Sequence, residues 1–312
     1  MFESLPFDHT KEAPPESQLE KEFHLKEQYK DQIRVLNETG VLELLPDTES
    51  LGILGIDGKE YPLPSYDSIR TSLEAHKEFF ETKKAQGFEK LLLVPQGMPL
   101  SLLCDRMKRE ILKKHKEGNL KSTEGTPLEL DEKEPLSIWD NYKDADTNGS
   151  LVYFPESLTN DHKGKTKQAL IDEGQAWDVV FIEDLPNLPA EGKGEIRGEE
   201  GKERKQIEAN KSPTEYLTMM QDNPEYHGES GTTPELWITY FVTELHRKNY
   251  VIDDWQGGGK ASYQTGAYFP DSSVVPYCYW PRVNRQVYMV GYDVGCGGSG
   301  IASRFSVRVF RP

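Results

Sequence analysis

Three cysteines and seven histidines are the side chains best suited to covalent or metal chemistry in this 312-residue chain. Their spacing gives that chemistry little to work with. His9, His24, His76, His115, His162, His227 and His246 fall on charged helical stretches or in loops, and no two make a metal-ligand pair. Neither a Gly-x-Ser-x-Gly elbow nor a His-Glu-x-x-His motif occurs. Cys104, Cys278 and Cys296 are odd in number and too few for a disulfide scaffold, with a Cys278–Cys296 bridge open only in an oxidising compartment. Neither Cys278 nor Cys296 has a neighbouring His or a helix N-terminus to lower its pKa. Asp144-Ala-Asp-Thr-Asn-Gly149 opens like a calcium loop, with Asp144, Asp146 and Asn148 at alternate positions. The twelfth position is Pro155 instead of a bidentate Glu, so an Asx-capped turn is the first reading and calcium the alternative. Gly164-Lys165-Thr166 ends like a phosphate loop, yet Thr occupies position 159, where its leading Gly belongs. The expectation is a protein without cofactor or metal, and not an enzyme.

The elements that would position a site divide at a charge-rich connector, 116–135. Residues 1–130 read as an N-terminal α/β accessory domain and 131–312 as a second, ligand-binding domain. Within the first, residues 1–16 form a polar arm. Ser17 caps a helix that runs to Gly40, and Asp57-Gly58 turns a hairpin between 51–56 and 59–63. Ser65 caps a helix with Ile69, Leu73, His76 and Phe80 on one face, 89–94 is a buried strand, and Pro99 starts a helix to His115. Within the second, 151–154 and 177–182 are strands, and 165–173 is a helix. Residues 190–206 are a mobile insertion. Thr233-Pro234 starts a helix to Asn249, with Leu236, Trp237, Tyr240, Phe241 and Leu245 inward and Glu244, Arg247 and Lys248 toward water. Strands follow at 262–269 and 304–310.

Charge separates the two ends of the chain. Ala261–Pro312 contains no Lys and no Glu, only five Arg against Asp271 and Asp293, a charge of +3. The first 260 residues therefore hold 32 basic against 51 acidic residues, −19, within an overall −16. Such an acidic body argues against general nucleic-acid binding, because it has no excess cations to exchange for phosphate counterions. No run reaches the ~18–20 apolar residues of a membrane span, and Met1-Phe2-Glu3-Ser4 opens no signal peptide. The default expectation is a soluble, cytoplasmic protein, with surface display by another route open. Thirty-two aromatic residues supply a core.

The tail carries the strongest pattern. Val275-Pro-Tyr-Cys-Tyr-Trp280, Arg282-x-Asn-Arg-Gln286, the Gly/Tyr/Asp/Cys/Ser stretch 288–300 and Ser303-Arg-Phe-Ser-Val-Arg308 follow one another. Together they resemble the variable region of diversity-generating retroelement target proteins. Thr233-Pro-Glu-Leu-Trp237, Val251-Ile-Asp-Asp-Trp-Gln-Gly257 and Gly266-Ala-Tyr-Phe-Pro270 resemble the framework of the same family, so the likeness covers roughly 135–312. In that family a reverse transcriptase copies a template with errors at adenines. Codons with free first and second bases and a pyrimidine third cannot encode Lys, Glu, Gln, Met or Trp. Between Val287 and Ser303 only Met289, of 17 residues, belongs to the excluded set.

The resemblance implies an α+β chain ending in a C-type-lectin fold, a twisted antiparallel sheet with two helices, whose variable region is about 276–303. Its exposed contacts would be Tyr277, Cys278, Tyr279, Val283, Asn284, Tyr288, Val290, Tyr292, Asp293, Val294, Cys296 and Ser299. Trp280, Arg282, Arg285, Gln286 and Arg304 would be framework, the arginines donating to carbonyls of irregular loops. Tyr with Ser, Asn and Gly is the chemistry of antibody paratopes, so the implied partner is a protein or other macromolecule. Two rivals share the fold. A formylglycine-generating-type enzyme would use Cys278 and Cys296, and a calcium-dependent sugar lectin would need more acidic residues than Asp271 and Asp293.

Overall fold

A computed structural model describes residues 16–310; the polar arm, Glu16 apart, lies outside the described residues. Capping chemistry sets the helix starts. Ser17, Ser65, Thr166, Ser212 and Thr233 each accept a first-turn N–H through the side-chain oxygen. The Asp57-Gly58 turn joins Ser50–Leu54 to Glu60–Pro62 as an antiparallel hairpin, with Gly58 at φ +74°. Two expected helices are broken. Ser17–Gly40 splits at His24, whose φ of 48° is left-handed, and the helix capped by Ser65 breaks at His76.

The elements that matter below are, in chain order, α1 (Leu25–Glu38), β1 (Phe88–Val94), α2 (Leu100–Lys116), β2 (Leu136–Ile138), β3 (Asp178–Glu183), α3 (Pro213–Asp222), β4 (Glu229–Gly231), α4 (Pro234–Lys248), β5 (Ala261–Tyr263), β6 (Val274–Pro281), β7 (Val287–Asp293), β8 (Ile301–Ser303) and β9 (Phe305–Arg308). They build a mixed α+β architecture around two sheets. One is antiparallel in the order β4-β9-β3-β1. The other runs β8-β5-β6-β7-β2, with Asp254–Trp255 alongside β6. It is antiparallel only at its centre, because β2 joins β7 and β8 joins β5 in parallel.

The connector at 116–135 does not separate two cores. β1, from before it, pairs with β3, which pairs with the terminal β9. One apolar cluster runs from Leu19 to Val309, with α4 packed on α1, α2 and β1. Because α4 is enclosed from Pro234 to Leu245, Glu244 is fully buried instead of facing water, and it pairs with Lys90.

The insertion at 190–206 is likewise anchored. Ile196–Arg197 and Arg204–Lys205 pair as a short hairpin. Arg204 is fully buried, bonded to Glu229 at 2.8 Å and Glu183 at 3.1 Å, with its guanidinium over Phe88 and Tyr226. A mobile loop is the expectation because the segment offers no core former except Ile196; a buried ion pair supplies the anchor. Among the described residues no helix is long and apolar enough to cross a membrane.

Candidate functional site

Strand alternation divides the β6–β7 pair into two faces. Tyr277 lies opposite Val290, Tyr279 opposite Tyr288, and Val275 opposite Tyr292. Tyr263 of β5 extends the row beside Tyr277. The rings form one array: Tyr277–Tyr279 centroids lie 4.8 Å apart, Tyr263–Tyr292 5.3 Å, Tyr277–Tyr292 5.3 Å and Tyr279–Tyr288 5.5 Å. Trp255 meets Tyr279 edge to face at 5.8 Å. The opposite face holds Cys278, Trp280, Val287 and Met289, all fully buried.

The aromatic face is covered at one end and open at the other. Tyr216 of α3 packs over Tyr263, and Tyr277 is only 7% exposed. Tyr279, Tyr288, Val290 and Tyr292 are half-buried. Burial, then neighbouring phenols, holds Tyr263, Tyr277 and Tyr279 above the ordinary tyrosine range, so these three are uncharged at neutral pH.

Two loops form the rim. In the β6–β7 turn Val283 is 76% exposed, and Asn284 Nδ2 donates to the Tyr288 hydroxyl at 2.6 Å. Asp293, the last residue of β7, is exposed, and beyond it Cys296 and Ser299 are exposed and Val294 is half-buried. Thr214, in the first turn of α3, donates to the Val294 carbonyl through both its main-chain N–H and its hydroxyl, at 3.1 and 2.8 Å.

Two of the twelve expected contacts are corrected. Tyr277 is enclosed by its neighbours, and Cys278 points into the core beside Met289, whose Sδ lies 3.7 Å from Cys104 Sγ. Burial pushes the Cys278 thiol well up. All three cysteines are free, and Cys278 and Cys296 do not pair, since one is buried and the other exposed.

Most of the framework holds its loops. Trp280 is fully buried. Arg304 donates to the Leu185 and Pro186 carbonyls and pairs with Asp253, which also accepts from Trp237 Nε1 at 2.8 Å. Arg282 binds Asp254 through Nε and Nη2 and reaches the Gly257 carbonyl at 3.3 Å. Gln286 is buried. Arg285 is the exception: it sits at a left-handed φ of 57°, and its exposed side chain meets the exposed Glu129 at 3.4 Å.

The other motifs resolve into structure. Asp146 accepts from the Leu100 N–H and from Lys167, while Asn148 closes an Asx turn onto Ser150, so two of the three side chains of the calcium-like loop are engaged within the protein. Among the described residues no cluster of His, Cys, Asp and Glu is placed to hold a metal. Lys165 pairs with Glu173 and Thr166 caps Lys167–Asp172. Trp255, Tyr263 and Tyr216 belong to the aromatic array although the tail pattern does not include them. Tyr263 sat in an expected strand, but its neighbour across the sheet is 14 residues away in sequence.

Compared with protein-family models, curated proteins and solved structures, the chain finds no match in any of the three.

Proposed function

We propose that this is a ligand-binding protein whose C-terminal face, on a C-type-lectin-type scaffold, is diversified by a retroelement and meets a protein or other macromolecule. One observation carries the reading. The residue types that adenine-directed mutagenesis cannot write, Trp280, Gln286 and Met289, are buried. The half-open and exposed positions, Tyr279, Val283, Asn284, Tyr288, Val290, Tyr292, Asp293, Val294, Cys296 and Ser299, are all types it can write. A scaffold that keeps its core constant while its surface is rewritten needs that partition. Tyr offers large contact area at low entropic cost, and Asn and Ser offer adaptable hydrogen bonds. The buried, high-pKa Cys278 counts against a thiol-dependent enzyme that would need it as thiolate.

Two tests bear on it. In the genome, the coding sequence for about 276–303 should have a near-copy beside a reverse-transcriptase gene, differing only at adenines. Absence of such a copy removes the retroelement from the reading. In protein, a displayed library randomised at Tyr279, Asn284, Tyr288, Val290, Tyr292 and Asp293 should stay folded and yield binders to two unrelated proteins. A library that mostly unfolds would show that the aromatic face is core and not a binding surface.

A further inference from the structure

A second concave site lies beside α3, built from different residues than the tyrosine face. It is a cavity of about 260 Å³ walled by Phe154, Leu217 and Met220 and bordered by the edge strand β4. Among the described residues Arg308 is the one cation that lines it. Its Nε donates to Asp178 at 2.9 Å and its Nη2 to Gln175 at 3.0 Å, which leaves Nη1 without a protein partner among the described residues. The guanidinium lies 4.3 Å from the centroid of the Phe154 ring. Phe154 takes a φ of 50°, unusual for a bulky residue, with its N–H bonded to the Gly266 carbonyl at 2.8 Å. Strain of that kind persists where the surroundings over-determine it, and here it sets an aromatic plate under a half-committed guanidinium.

Asp178 takes up one side of that cation, and the other nearby acids are committed elsewhere. Glu229 is held by Arg204 and Lys83, and Glu156 at the mouth pairs with Lys163 at 3.6 Å. Apolar walls with one convergent polar group are the usual make-up of a small-ligand pocket. A guanidinium with a free edge recognises carboxylates best. We propose that this cavity binds an apolar carboxylate, its body between Phe154, Leu217 and Met220 and its charge on Arg308.

Two sources share that chemistry, a free small acid and the C-terminus of a polypeptide. β4 offers a way to tell them apart. Thr232 N–H bonds the Arg304 carbonyl, so by antiparallel alternation Glu229 turns its main-chain groups to the outer edge, where an extended chain can pair.

The full chain is titrated by calorimetry with N-acetyl-leucine, N-acetyl-leucinamide and a pentapeptide ending in free leucine. The acid should bind at about 1 mM or tighter and the amide about tenfold more weakly. Arg308→Gln should abolish the difference. Because Arg308 also holds Asp178, Met220→Trp is the second variant: it fills the cavity from its rim and should block binding with Tm unchanged. A pentapeptide that binds tighter than the single residue assigns the site to chain termini, and equal affinities assign it to small acids. Equal binding of acid and amide, binding that survives Met220→Trp, or no saturable binding of any probe would overturn the proposal.

Discussion

The two faces of the β6–β7 pair come from the same stretch of chain and meet opposite environments. One face, Cys278, Trp280 and Met289, is sealed against the core shared with α2 and α4. The other, Tyr279, Tyr288, Val290 and Tyr292, is half-open. The two differ by a single residue of register, since neighbours along a strand point to opposite sides. Apolar character therefore does not tell a structural position from a contact position here; parity does. The rings of the open face rest mainly on one another, whereas the sealed face is fitted to a helix layer.

That contrast predicts a graded series of effects. Trp280→Ala should cost about 3–5 kcal/mol, measured by denaturant unfolding, because a fully buried indole leaves a cavity. A cost near zero would erase the distinction between the faces. Arg204→Ala should cost about 3 kcal/mol, since Glu183 and Glu229 would be left buried without their shared guanidinium. The same change should expose 190–203 to limited proteolysis; a resistant hairpin would mean that another contact anchors it. Tyr279→Ala and Tyr292→Ala should each stay within about 1 kcal/mol, as part-exposed positions do, and a larger loss at either would move it into the core.

The smallest expected effect is a dependence on pH. His246 lies between Glu110 (2.9 Å) and Glu38 (2.7 Å), so both ring nitrogens face carboxylates and the charged imidazolium is favoured. The hydrogen bond to Glu110 is the largest cause of its raised pKa, partly offset by burial and by Lys114. Its stabilising contribution is fully present below the unfolded imidazole value of about 6.5, while the carboxylates stay ionised, and is lost as pH rises through the higher folded value. The Tm gap between wild type and His246→Gln should therefore be widest near pH 6 and shrink toward pH 8. A gap independent of pH would show that His246 acts by packing alone.

Local chemistry was legible wherever it decides locally. The caps at Ser17, Ser65 and Thr233, the Asp57-Gly58 turn and the strands at β1, β3 and β9 follow from side-chain oxygens, turn glycine and apolar runs. The exposure of the expected contacts was largely legible too, ten of the twelve being exposed or half-open. Tyr277 and Cys278 were misplaced because a contiguous motif hides the alternation that splits it. Arg204, Lys90 and Glu244 gave no signal, since a charge reads as a surface residue until its partner, 21 residues away or more, is brought to it.

What this sequence determined by itself was the type of several principal helices and strands, the aromatic composition of its last 52 residues, and the segregation of charge that leaves those residues free of Lys and Glu. The tertiary structure alone decided that β1 closes onto β3 and β9 across the connector, that buried ion pairs tie the insertion and α4 down, and which tyrosines stay half-open. The physical reason is range. Caps, turns and periodicity act over a few residues, whereas sheet order, charge pairing and coverage of a face depend on groups brought together from distant parts of the chain.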